Sequence, residues 1–374
     1  MITAARLSAL TALACALATP VWSAPPATLK QAFEDDFLVG VALGRMESFD
    51  AAERALLVRE FNVVTSENQL KPGRVQPQEG VFTFGDGEAL VSFAEQHGLP
   101  MIGHTLAWHQ VTPDWFFLDG DKPASRELAL QRLRAHIHAV VGHFKGRIKG
   151  WDVVNEGIAD ERDEREYLRR NKWQQVVGDD YIAKAFEYAH EADPGAELYF
   201  NDYGNEYPHK RERTIRLIRD LQARGLRVDG IGMQLHLQLD RIPFDEIDRS
   251  LTAFRELGVK VMITELDLDL IERKVWGADT AQREEPTESN LGWAVAPPDL
   301  LQRQADQYAR LFALLRKHRD IVDRVTFWNL HDGKSWLNNW PVKGRINHPL
   351  LFDRALQPKP AFQAVMSLAR EPQP

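Results

Sequence analysis

Eight short apolar runs, rich in β-branched residues, recur along the chain, each followed by an amphipathic, charge-flanked segment. No other feature restricts the fold so tightly. The runs lie at 38–42, 61–65, 100–104, 149–154, 197–201, 230–234, 259–264 and 324–328. The segments after them, at 51–60, 87–97, 124–144, 180–192, 210–222, 244–257, 300–317 and 359–369, carry apolar residues at three- and four-residue spacing, the period of a helix with one buried face. Strands that alternate with helices build a parallel sheet, because each helix must carry the chain back before the next strand can begin. Eight such units over about 330 residues match one closed (β/α)8 barrel, an α/β fold of the TIM type in a single domain, residues 24–374. An open doubly wound sheet is the competing arrangement. It is disfavoured because no Gly-x-Gly-x-x-Gly loop follows the first run.

The first 23 residues stand outside this rhythm. Arg6, an apolar run over 7–18 and a small-residue site ending at Ala24 form the pattern of a secretory signal cut after Ser23. The apolar run is too short to span a bilayer. Cys15, the single cysteine, lies within it. A lipid anchor there is the rival reading, but Ala12-Leu13-Ala14 before it is a poor match. The mature chain is therefore expected to be secreted or periplasmic, without disulfide or thiolate metal site. With a net charge of −8 and no basic run interleaved with aromatics, it offers nothing to nucleic acid. The mature form is expected to be monomeric and free of membrane. Ten tryptophans, several near strand ends, supply flat apolar faces of the kind that pack on sugar rings.

In a barrel of this type the carboxyl ends of all strands meet at one mouth, where ligands collect. Here those ends present Glu67, Asn68 and Lys71; His104, Trp108 and His109; Asn155 and Glu156; Asn201 and Tyr203; Gln234 and His236; Thr264, Glu265 and Asp267; and Trp328, His331, Asp332 and Trp336. Taken singly, each has a structural explanation; His109 or Asp332 could serve simply to tie loops. Seven strand ends that deliver polar or aromatic groups to one rim call for a site. Within it, Glu156 and Glu265 stand on opposed walls, the arrangement that glycosidic cleavage requires of an acid and a nucleophile. Asn155 can offer its amide to a sugar hydroxyl. His236 is placed to hydrogen-bond Glu265, and Asp267 either orients that ring or caps the strand. The four rim histidines lack the His-x-His or His-x-x-x-His spacing of a metal-bearing element, so neither metal nor other cofactor is expected. The polar stretch 269–299, long for a compact domain, is expected beside the mouth.

These motifs resemble those of the glycoside hydrolase family 10 xylanases. The resemblance runs the length of the mature chain and rests on Ser66-Glu-Asn-Gln-Leu-Lys71, Gly103-His-Thr-Leu-Ala-Trp-His109, Trp151-Asp-Val-Val-Asn-Glu156, Gly232-Met-Gln-Leu-His236, Ile263-Thr-Glu-Leu-Asp267 and His331-Asp-Gly-Lys-Ser-Trp336. It implies a retaining endo-β-1,4-xylanase in which Glu156 is the acid/base and Glu265 the nucleophile, with Asn155, Gln234 and His236 around them. By the same resemblance, Glu67, Asn68, Lys71, His104 and Trp108 bind the glycone side, Trp328 and Trp336 roof the sugar at the cleavage point, and Tyr203 flanks the first leaving-side position. Xylan and xylo-oligosaccharides are the implied partners. The chain departs from the family where Tyr203 is followed by Gly204-Asn205, and in the length of 269–299. An endoglucanase on a related barrel, or a silent carbohydrate-binding barrel, remain the alternatives.

Overall fold

The computed structural model of the chain describes residues 28–160, 167–275 and 280–369; the expected signal segment, 1–23, lies outside them, as does Trp276. Eight strands follow one another around a sheet: β1 (Leu38–Leu43), β2 (Val63–Ser66), β3 (Met101–Trp108), β4 (Gly150–Asn155), β5 (Glu197–Asp202), β6 (Gly230–Met233), β7 (Lys260–Asp269) and β8 (Val322–Phe327). Neighbours pair in parallel, and β8 pairs with β1 as well as β7, with Leu38 opposite Arg324 and Val41 opposite Phe327. The sheet is therefore closed, as the eightfold rhythm predicts. Helices α1 (Ala51–Glu60), α2 (Gly85–Gln96), α3 (Arg126–His143), α4 (Tyr181–Ala192), α5 (Pro208–Ala223), α6 (Phe244–Arg255), α7 (Pro298–Lys317) and α8 (Pro360–Leu368) follow the strands in turn.

Burial on both faces explains why the strands read as near-continuous apolar runs rather than alternating ones. Toward the helices, Phe327 of β8 stacks on Phe312 of α7 at 6.0 Å. Toward the axis, Val63, Ile102, Tyr199 and Met262 from four strands meet in a separate cluster; on the helix side, where Trp151 packs near Phe144, Gly103 leaves room for the indole, since a Cβ there would lie 2.2 Å from it. Helix starts are set by local chemistry. Asp50 and Glu53 form a reciprocal capping box on α1, Ser125 caps α3, and α5, α7 and α8 each open with proline, whose missing N–H costs nothing there.

Two strands outrun their predicted ends. β3 continues past His104 to Trp108 after a register shift against β4, and β7 continues past Thr264 to Asp269, where it pairs with the short strand His236–Gln238. Shifts of this kind break the period on which a sequence reading depends. They also carry Trp108 and Asp267 to the mouth on regular strand rather than loop. The short helix Lys172–Val177, after β4, has no counterpart among the predicted elements.

Candidate active site

The strand ends surround a cleft of about 690 Å³, within the range that holds a small-molecule ligand. At its floor β4 stops abruptly. Glu156 adopts a left-handed backbone with φ 58°, which turns its side chain into the mouth. For a residue with a Cβ this conformation costs of order 1–3 kcal/mol and is held only where neighbours over-determine it. They do so here. Its N–H donates to the Asn201 carbonyl at 2.8 Å, and its own carbonyl accepts from Arg169 Nε at 2.9 Å. Leu235 and Asn329, just beyond β6 and β8, share the left-handed conformation.

Both central carboxylates are buried, yet their surroundings drive them apart. Glu156 Oε2 accepts from Trp108 Nε1 at 2.8 Å, while Gln234 and Asn155 amides reach Oε1 at 3.3 and 3.4 Å. Burial pushes its carboxyl up to about 7, against the opposing charge of Arg169 and with the help of Asp202 and Glu265. Glu265 is desolvated too, but there burial is outweighed. His236 Nε2 donates to Oε2 at 3.0 Å and Asn201 Nδ2 to Oε1 at 2.8 Å. These bonds and the fields of His104 and His236 hold its carboxyl below the ordinary range. His236 can sustain this because Asp267 accepts from its Nδ1 at 3.0 Å. Although burial disfavours the imidazolium, Asp267 and Glu265 raise the ring's pKa to about 9, so both nitrogens carry protons at neutral pH. A neutral acid thus stands beside an ionised carboxylate.

One wall of the cleft comes from β2 and β3. Lys71 Nζ donates to Asn68 Oδ1 at 2.9 Å and sits 4.8 Å from the centre of the Trp108 ring. Burial lowers the Lys71 pKa and raises that of Glu67, each partly countered by the charge of the other. His104 is oriented by Asp152, Nδ1 to Oδ2 at 2.9 Å, and stands edge-on to Trp328 at 5.5 Å. Trp336 donates its Nε1 to Asp267 at 2.7 Å and stacks on Trp340 at 4.6 Å. Thr280 and Arg283 of the long loop after β7 reach the rim, so that loop does border the mouth.

Of the residues expected to be catalytic, sugar-binding or orienting, all line this cleft except two. Asp267 lies fully buried behind His236 and Trp336. Tyr203 is 2 % exposed and faces a neighbouring pocket; its hydroxyl donates to Asp160 at 2.6 Å and accepts from Arg169 at 2.8 Å. His331 and Asp332 are loop ties: His331 bonds Glu53 of α1 at 2.8 Å, and Asp332 holds Lys359 at 3.1 Å. Asn201 was named at the rim without a role, and Asp152 and Arg169 were not singled out. Asn201 bridges the two halves, its amide donating to Glu265 and to Asn155 Oδ1, both at 2.8 Å, while Thr264 fixes its oxygen at 2.7 Å. Its place directly opposite Asn155 in the β4–β5 register was the available signal. Asp152 and Arg169 gave none. Among the described residues no group of three His, Cys, Asp or Glu side chains is arranged to hold a metal.

Comparison with known proteins adds an independent line. Residues 28–368 match the family model Glycosyl hydrolase family 10. An endo-1,4-beta-xylanase of Geobacillus stearothermophilus is 40 % identical over 343 residues, 91 % of this chain and 98 % of that protein. A family 10 endoxylanase retrieved from a sugarcane soil metagenome superimposes with a TM-score of 0.86 at 37 % identity, over 91 % of this chain and 99 % of that one. The intracellular xylanase TsXylA of Thermoanaerobacterium saccharolyticum does so with a TM-score of 0.78 at 39 % identity, over 90 % and 97 %.

Proposed function

The chain belongs to glycosyl hydrolase family 10, and we propose that it is an endo-1,4-β-xylanase that cleaves internal bonds of xylan by double displacement with retained configuration. The observation that carries the chemistry is the split between the two carboxyls, Glu156 pushed up to about 7 and Glu265 held low. Glu265 attacks the anomeric carbon as Glu156 passes its proton to the leaving oxygen. Glu156, now ionised, takes a proton from the water that hydrolyses the glycosyl–enzyme bond. The Asn155 and Asn201 amides link the two carboxylates. Asn155 borders the same space and can offer its amide Nδ2 to a sugar hydroxyl, while His236 is committed to Glu265 and Asp267. We also propose export, on the basic, apolar and small-residue pattern of the first 23 residues.

The test is stereochemical. Proton NMR of xylo-oligosaccharide cleavage should show the β-anomer first, and Glu265→Ala should lose nearly all turnover yet regain it with azide, forming the α-glycosyl azide. An initial α-anomer from the wild type would remove the double-displacement reading.

A further inference from the structure

Two arginines stand on the rim of the main cleft: Arg74, on the short helix Pro72–Val75 after β2, and Arg283, in the loop after β7. Both are exposed, and among the described residues neither forms an ion pair. Elsewhere on this acidic chain, surface arginines such as Arg126 and Arg255 are paired with Asp180 and Asp320. The charge of Arg74 also reaches Lys71, so the two cations share one end of the cleft.

The backbone that carries each arginine is pinned. Arg74 N–H donates to the Lys71 carbonyl at 2.8 Å, and its own carbonyl accepts from the Thr83 hydroxyl. Gly73 beside it donates to the Val111 carbonyl at 3.0 Å, an approach that a Cβ, 2.8 Å from that oxygen, would spoil. Around Arg283, Trp340 Nε1 donates to the Gln282 carbonyl at 3.1 Å and Glu284 N–H to the Pro341 carbonyl at 3.2 Å. The adjacent Glu284 carboxylate is turned away, accepting from the N–H groups of Lys274 and Val275 at 2.7 and 3.1 Å. Arg283 Nη1 donates to the carbonyls of Thr280 and Gln282, which leaves the Nε and Nη2 donors for a ligand. Thr280 also bonds Gln110, the neighbour of Val111. The two arginines therefore reach the 110–111 segment from two different loops.

A guanidinium presents a planar fork of donors that matches a carboxylate. Unbranched xylose has no such group. The cleft floor cannot take one either, because Glu67, Glu156 and Glu265 already line it. An anion at this end must sit at the rim, on a branch that leaves the row of sugars below. We propose that Arg74 and Arg283 bind the carboxylate of a uronic acid branch, carried by a xylose on the Lys71 and Trp108 side of the cleft. Acid-branched xylan is then a preferred substrate rather than a tolerated one. The inference rests on the endo-xylanase reading.

The experiment compares kcat/KM for the wild type, Arg74→Gln and Arg283→Gln on three substrates. These are xylohexaose, the same chain with one glucuronosyl branch, and that branched chain with its carboxyl reduced to a neutral hydroxymethyl. The last keeps the size of the branch without its charge, so the ratio of acidic to neutral branch reads the carboxylate alone. The wild type should favour the acidic branch roughly tenfold, and each substitution should lower the ratio about three- to fivefold. Sodium chloride at about 1 M should shrink it as well, since exposed charges are then screened within about 3 Å. Mass analysis should find the branch on the fragment with the new reducing end. A fall in one variant alone assigns the carboxylate to that arginine. A wild-type ratio near one, or a ratio that neither substitution lowers, would overturn the proposal, and so would a branch found only on the other fragment. A wild type inert toward xylohexaose would instead remove the endo-xylanase reading, and this inference with it.

Discussion

In the proposed mechanism Glu156 must hold a proton that water would otherwise take from it. Its burial supplies that condition and has a cost that can be measured. A carboxyl with a pKa near 7 in the folded state and 4.5 otherwise binds its proton more tightly when folded. Stability is therefore lost as pH rises from about 4.5 through 7, and the loss is complete above that window. Glu156→Gln removes the charge while keeping the shape. It should melt higher than the wild type at pH 8, by an upper bound of roughly 3 kcal/mol, and show no advantage below pH 4.5, while losing activity on xylan. Calorimetry at the two pH values checks this; an equal difference at both would mean that the ionised carboxylate is not what destabilises. Glu156 was legible in the sequence because an Asn-Glu pair ending a buried strand is odd. Its protonation was not legible, because it depends on Trp108, Arg169 and Asp202, whose approach the local sequence does not encode.

Strand ends carry the side chains, but the fit between strands decides whether the side chains meet. Asn201 ends in the space between β4 and β7 because Gly232 of β6 leaves it room: a Cβ on Gly232 would lie 2.2 Å from Asn201 Oδ1. Gly232→Ala should displace that amide from Glu265 and Asn155. We expect it to cost about 1–3 kcal/mol of stability and to lower kcat more than it raises KM, as transition-state support is lost before binding. Steady-state kinetics beside a urea titration will separate the two effects, and a variant that keeps kcat would show that Asn201 has another way to its place. The eight strands and eight helices were legible from apolar period and flanking charge. The extensions of β3 and β7 were not, since register shifts at His104–Ala107 and Ile263–Leu266 interrupt the pattern.

At the scale of the whole barrel, closure depends on ties that join the loop after β8 to both ends of the chain. His331 reaches Glu53 in α1, and Lys359, before α8, places its Nζ 3.1 Å from Asp332 and 2.7 Å from the carbonyls of His348 and Leu350. Asp332 is fully buried. Lys359→Met would leave that carboxylate without its counter-ion and should cost about 3 kcal/mol, seen as a lower urea midpoint with unchanged slope. A midpoint like that of the wild type would mean that the remaining partners suffice. The sequence by itself determined the closed barrel and the ring of groups at its mouth, because strand period, helix period and the residues at strand ends are local properties. Tertiary structure alone decided the unequal surroundings of Glu156 and Glu265, the bridging place of Asn201, and the turning of Tyr203 toward a second pocket. Desolvation and Coulomb fields act across short distances between residues far apart in the chain, and only the folded packing sets those distances.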